Sequence, residues 1–184
     1  MKVGIIVGSV RETRRGEHVG RWVSAIAAEH DDVEFDLIDL VDFDLPFATA
    51  ATLPTMAGGH YDDARVTAWS ERIGSVDAFV FITAEYNHGI PGAFKNAVDL
   101  LAPEWAGKCV GFVSYGAVGG VRAVEQWRQV LANFSMVDIR SQVTLSNFTD
   151  FEPDGAVSPA TRHSENMRAL LEELVAVHRR LHRD

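Results

Sequence analysis

With one cysteine, Cys109, this 184-residue chain has no second thiol with which to close an internal disulfide. Such a chain is expected in a reducing cytoplasm. Cys109 lies in GKCVGFV, a setting that suits a buried structural thiol better than a reactive one. Long apolar runs are also missing: no stretch approaches the roughly 20 residues of a spanning helix. The opening MKVGIIVGS carries one Lys and runs directly into strand-like sequence, so no secretory leader is expected. Positive charge is scarce, 17 Lys and Arg against 26 Asp and Glu, for a net charge of −9. That balance argues against nucleic acid or an anionic membrane as a partner. Neither G-x-G-x-x-G nor G-x-x-x-x-G-K-[ST] follows the first apolar run, which removes the dinucleotide and Walker-type phosphate loops. The histidines share no spacing with acidic or thiol ligands, so no metal site is expected. No linker, repeat or low-complexity tract interrupts the sequence, and residues 1–184 are expected to form a single domain.

Short β-branched runs and helix-periodic runs alternate along the chain. Val3–Val7 reads as a strand buried on both faces. Val33 to Leu40 reads as a second strand nearer an edge, with Val33, Phe35, Leu37 and Ile38 as its inward residues. Asp77–Thr83, Lys108–Tyr115 and Met136–Leu145 supply three more, the last more polar and again near an edge. Val19, Trp22, Val23, Ile26 and Ala27 recur at helical spacing. A helix over about 62–74 is expected to be capped by Asp62, another to begin near Pro91, and a third to carry Val121, Val124, Trp127 and Leu131. The final helix carries Met167, Leu170, Leu171, Leu174, Val175, His178 and Leu181 on one stripe, with Arg179, Arg180 and Arg183 suiting its negative end. Residues 41–60, with Pro46, Pro54, Gly58 and Gly59, read as a long surface loop. Five strands alternating with five helices predict an α/β doubly wound parallel sheet with helices on both faces. Ligands bind such sheets where strands end and strand order reverses.

Three loops at that edge are rich in glycine and polar residues. GSVRETRRGEHVG leads from the first strand into a helix, where free N–H groups and the helix dipole favour an anion. Ser9, Arg11, Arg14 and Arg15 can serve a phosphate there; alternatively the arginines pair with Glu12 and Glu17 in a solvated loop. AEYNHGIPG, after the third strand, offers Tyr86 for stacking and Asn87 for hydrogen bonding to a flat heteroaromatic ring. An Asx-type turn ahead of a helix explains the same residues. SYGAVGGVRA, after the fourth strand, leaves bare backbone at Gly116, Gly119 and Gly120.

Taken together, GS-x-R, EYNHGIPG-x-x-KN (Glu85 to Asn96) and SYG-x-x-GG-x-R resemble the NADPH-dependent FMN reductases, in register over roughly residues 3 to 145. The resemblance implies a flavodoxin-like fold with strand order 2-1-3-4-5. It places an FMN phosphate on Ser9, Arg11 and the helix start at Gly16, Glu17 and His18, with Arg14 a further candidate. It places the isoalloxazine along Ala84, Glu85, Tyr86, Asn87 and His88, closed by Ser114, Tyr115, Gly116, Gly119 and Gly120. Ala84 stands where the family usually has proline, and the stretch Glu12 to Glu17 is longer and more basic than in many members. The implied activity is ping-pong transfer of hydride from NADPH or NADH through flavin N5 to FMN, a quinone or a similar small acceptor. The flavin carries the chemistry, so no catalytic side chain is required; Tyr86 and His88 are candidate proton donors. Homodimers or homotetramers are also implied. Phe94, Leu100, Leu101, Trp105 and Trp127 can serve either such an interface or the protomer's own core. A flavodoxin-like electron carrier is the alternative, and the EYNHGIPG segment favours the reductase. A Mg²⁺-binding receiver domain would need acidic residues where Gly8 and Ser9 stand.

Overall fold

The β-branched runs become the centre of one sheet. In the computed structural model, which describes residues 1–182, the strands are β1 (Lys2–Val7), β2 (Glu34–Asp39), β3 (Ala78–Ala84), β4 (Cys109–Gly116) and β5 (Val137–Ser146). They pair in parallel in the order β2-β1-β3-β4-β5. β1, β3 and β4 are buried almost throughout, as sequences without polar alternation require. β2 and β5 lie at the edges and are only partly buried.

Helix α1 (Arg15–Ala27) and helix α6 (Thr161–Leu181) cover one face of the sheet. Helices α3 (Ala64–Gly74), α4 (Gly92–Asp99) and α5 (Val121–Ala132) cover the other. Side chains alternate between the faces with period two. Val3, Ile5 and Val7 join the aliphatic layer under α1 and α6, while Ile6, Phe79, Phe81 and Phe112 join an aromatic layer under the other three helices. In that second layer Trp69, Trp105 and Trp127 are fully buried, and each indole N–H donates: to Ala97 O, to Val98 O and to Thr83 Oγ1. Gly8 is required at the end of β1, because a Cβ there would lie 1.9 Å from the Phe94 ring.

Several expectations change. Phe94, Leu100, Leu101, Trp105 and Trp127 are buried inside the protomer, so their apolar area is core and not interface. Residues 41–60 are not wholly loop: a 3-10 turn spans Leu40–Phe43, and a one-turn helix α2 spans Pro54–Ala57 with proline in its first turn. The cap of α3 is Asp63 and not Asp62, its carboxylate accepting from Arg65 N at 2.9 Å. Leu37 is 42% exposed, because an edge strand offers its outer residues less cover, and Leu181 is 48% exposed in the last turn of α6. Arg179 and Arg180 do lie in that turn; Arg183 falls outside the described residues.

With this strand order the connections after β1 and β3 leave toward opposite faces. A crevice therefore opens between them at the strands' carboxyl ends.

Candidate functional site

A cleft of about 590 Å³ lies at that crevice, lined by Ser9, Arg11–Arg15, Ala84–Tyr86, Tyr115, Gly116, Asn147 and Phe148. Its floor is the ends of β3 and β4, and one wall is the turn leading into α1. Thr13 takes a positive φ of 51° in that turn, which brings the chain round so that α1 starts at Arg15. The N-cap residue, Arg14, makes no side-chain capping bond, and a side chain of this type cannot accept one. The start of α1 therefore has no capping side chain, its residues Arg14 and Arg15 line the cleft, and the one acidic residue of its first turn, Glu17, turns its carboxylate to Arg21.

The three arginines of this turn do three different things. Arg14 pairs with Asp39 at the end of β2, leaving its Nε buried without a hydrogen-bond partner. Arg15 reaches the opposite way, donating to Asn147 O at 3.1 Å and lying 4.7 Å from the Phe151 ring centroid. Arg11 is exposed and has no acidic partner among the described residues; its guanidinium carbon stands 5.7 Å from the Tyr86 ring centroid. Ser9 is buried, its hydroxyl 3.1 Å from the Tyr86 hydroxyl. Tyr115 lies under both: burial pushes its phenol up to about 12, opposed in part by the Ser9 hydroxyl and the Gly16 N–H beside it.

Gly16 is buried at the helix start, and a Cβ there would stand 2.9 Å from the Tyr115 hydroxyl. Glu17 and His18 are helical but turn away from the cleft. Glu17 pairs with Arg21 one turn on, and the His18 ring lies beside Gly155. Their contribution at the cleft is limited to backbone.

The turn after β3 is a two-residue hairpin. Tyr86 and Gly89 exchange both backbone hydrogen bonds at 3.0 Å, and Asn87 and His88 both take positive φ, 50° and 69°. Asn tolerates this conformation and His less well. Both side chains are exposed at the tip and outside the cleft lining. Gln126 of α5 pins the tip, donating to His88 O and accepting from Ile90 N. Glu85 is also redirected. Its backbone N–H donates to Tyr115 O, but its carboxylate accepts from the backbone N–H and guanidinium of Arg122, at 3.0 and 2.6 Å. Gly120, the N-cap of α5, has no side chain, so Glu85 caps that helix from another loop.

After β4, Gly119 and Gly120 take φ of 70° and 74°. The Ser114 hydroxyl, fully buried, donates to Gly119 O at 2.6 Å and locks this turn instead of lining the cleft. Glu12, read from the sequence only as a possible partner of the arginines, lines the cleft, as do Thr13, Asn147 and Phe148, which were not singled out. For the last two the available signal was Asn147-Phe148-Thr149-Asp150, turn residues directly after β5 at the same edge of the sheet.

A sequence model of the NADPH-dependent FMN reductases matches residues 1–150. The chain belongs to this family. It is 32% identical over 169 residues to an NAD(P)H-dependent FMN reductase of Schizosaccharomyces pombe, covering 92% of this chain and 84% of that protein. To an NAD(P)H-dependent FMN reductase of Saccharomyces cerevisiae it is 32% identical over 181 residues, covering 93% and 95%. A quinone reductase of Pseudomonas putida is 31% identical over 144 residues, covering 73% and 71%. Among solved structures, the flavoenzyme NAD(P)H:acceptor oxidoreductase FerB of Paracoccus denitrificans superposes with a TM-score of 0.72 at 23% identity, covering 95% and 97% of the two chains, a likeness of fold. The sheet order and these neighbours make the fold flavodoxin-like, and the chain is an FMN-dependent NAD(P)H oxidoreductase.

The cleft fits that cofactor on its own terms. A phosphate needs N–H donors and positive charge, which the open end of α1, Arg11 and the unpaired Nε of Arg14 offer. A flat ring needs backbone without bulk, which Ala84 and Gly116 offer on the cleft floor.

Proposed function

We propose that the chain acts as one FMN-binding domain whose phosphate site is Ser9, Arg11, Arg14 and the N–H groups of Gly16, Glu17 and His18, and whose ring site runs along the backbone of Ala84–His88 with Tyr115 and Gly116, the Asn87 and His88 side chains standing outside it. The observation that carries this reading is the start of α1: an uncapped helix end beside a cleft, with an arginine, Arg11, that no acidic side chain among the described residues claims. Ser114, Gly119 and Gly120 act one step back, setting the shape of the turn that closes the ring site.

When bound, FMN supplies two-electron transfer from NADPH or NADH to a small acceptor such as a quinone or free FMN. The protein's part is to hold and orient. Arg11 neutralises phosphate charge, Tyr86 and Tyr115 shield the floor from water, and the buried phenol of Tyr115 stays protonated at neutral pH as a hydrogen-bond donor. Tyr86 also lies beside Arg11, whose charge favours a hydrogen-bonded anion near it. We place the enzyme in the cytoplasm, which suits a sole cysteine that is fully buried; among the described residues no helix is long and apolar enough to cross a membrane. Self-association into dimers or tetramers would draw on the exposed Phe47, Leu53 and Met56.

The test is FMN titration, followed by flavin fluorescence, of the wild type and Arg11→Ala. The variant is expected to bind at least tenfold more weakly, about 1.4 kcal/mol, because a charge-assisted contact is lost. Unchanged affinity would move the phosphate elsewhere. NAD(P)H oxidation with FMN and a quinone tests the activity, and no turnover with either nicotinamide would sink it.

A further inference from the structure

The β5–α6 connection holds a polar group that no other described residue uses. Asn147 is the first residue after β5, and both of its backbone groups are committed. Its N–H donates to Gly116 O at 2.9 Å, and its C=O accepts from Arg15 at 3.1 Å. The turn that follows is locked as well. The Asp150 carboxylate accepts from Ser146 N at 2.7 Å and faces His163 of α6 across 3.6 Å, with both side chains buried. Asn147 lines the cleft, its Oδ1 is shielded from solvent, and that atom has no hydrogen-bond partner among the described residues. A buried amide oxygen left unpaired destabilises the protein, so its presence in a fixed loop calls for a partner that the chain does not supply.

We propose that Asn147 is a further cofactor-contacting residue, its amide hydrogen-bonding the uncharged hydroxylated chain that joins the phosphate of FMN to its ring. This rests on the FMN reading of the cleft given above. The two backbone partners of Asn147 decide which part of the cofactor it meets. Arg15 belongs to the turn assigned to the phosphate, and Gly116 belongs to the turn assigned to the ring. Asn147 is held between them. A chain of hydroxyls both donates and accepts, so it satisfies an amide whichever way the amide is turned. Arg14 Nε, the other orphaned group at the cleft, is a donor next to the helix end and matches the phosphate instead.

The experiment compares wild type with Asn147→Leu, a change of similar volume that removes the amide. Each is titrated with FMN and with riboflavin, which lacks the phosphate, and each is melted without flavin. The variant is expected to bind both flavins about tenfold more weakly, while its flavin-free melting temperature is equal or higher because an unpaired polar group has gone. A group serving only the loop would give the opposite melting result. FMN affinity equal to wild type overturns the inference. So does a loss confined to FMN, which would put Asn147 at the phosphate, or a lower melting temperature without flavin. A wild type that binds no FMN overturns the reading of the cleft itself, a different failure from these.

Discussion

Two helices begin at the same edge of the same sheet, and their N-termini are finished differently. At α5 the N-cap is Gly120, which cannot cap, yet Glu85 arrives from the β3 turn and its carboxylate accepts from the Arg122 N–H. At α1 the N-cap is Arg14, which cannot cap either, and among the described residues no carboxylate takes the place, the first-turn Glu17 turning instead to Arg21. Asp39 is close enough to pair with the Arg14 guanidinium but turns to that side chain rather than to the helix end. A helix start attracts negative charge, and a protein that satisfies it internally gives up an anion site in exchange for stability. One end is closed and structural, and the other is open and poised for a ligand. The same distinction appears in the buried polar atoms. All three indole N–H groups under α3, α4 and α5 have partners, whereas Arg14 Nε and Asn147 Oδ1 at the cleft have none.

Closing the open end should give the largest effect. Arg14→Asp puts a good capping residue at the start of α1 and a negative charge where the phosphate is assigned. FMN affinity is expected to fall about a hundredfold, close to 3 kcal/mol, from like-charge repulsion and the lost guanidinium. Stability should change much less, because the new cap offsets repulsion from Asp39 and the lost ion pair. The check is FMN titration beside a urea melt. Near-wild-type FMN binding by the folded variant would show that the α1 end is not the phosphate site.

Opening the closed end is the converse. Glu85→Ala removes the cap of α5 and the ion pair with Arg122, whose side chain is 41% exposed and can be solvated instead. Stability is expected to fall by about 1–2 kcal/mol, mostly the lost cap, since the pair's cation is solvent-exposed and can be hydrated when Glu85 is gone. FMN affinity should change by less than roughly tenfold, because Gln126 still pins the hairpin tip and separate contacts act nearly independently. A larger loss of FMN than of stability would place the Glu85 carboxylate in the ring site after all.

This contrast also shows what the sequence could reveal. The strands, their parallel pairing and the edge that carries the candidate site followed from period and from glycine placement, since both express local backbone geometry, whereas the strand order came from the family resemblance. Glu85 was placed at that edge, in a segment expected to lie along the ring, and its carboxylate was given no partner of its own. Nothing local in EYN tells a reader that Arg122, 37 residues on, begins a helix without a cap. Arg14 and Arg15 looked equivalent in sequence and part company only because Asp39 and Asn147 approach from different strands. Asn147 was overlooked for a related reason. The β5–α6 connection returns beside α1, so its residues meet the cleft through tertiary packing alone. The aromatic residues of α4 and α5 had two outlets, core or interface, and only a packed sheet face decides between them.

The smallest effect concerns the floor between the two helix ends. Tyr115 is buried beside Ser9 and Gly16, and its phenol is raised from an ordinary value near 10 to about 12, burial being the main cause. In the unfolded chain this group ionises near pH 10, while in the folded protein it keeps its proton until about pH 12. Between those values the folded state binds more protons than the unfolded state, so stability falls as pH rises, by at most about 1.4 kcal/mol per pH unit for one group. Tyr115→Phe lacks this component. At pH 7 the variant should lie within about 1 kcal/mol of wild type, a single hydroxyl hydrogen bond having been lost. Above pH 10 its stability should decline less steeply. Cys109, whose thiol burial pushes up to about 11, lowers stability between pH 9 and 11 in both proteins and cancels in the comparison. Parallel curves of urea-unfolding free energy from pH 8 to 12 would mean that Tyr115 ionises in the folded protein as it does in water. The floor of the cleft would then be wet, with the start of α1 open to solvent from below as well as from the cleft.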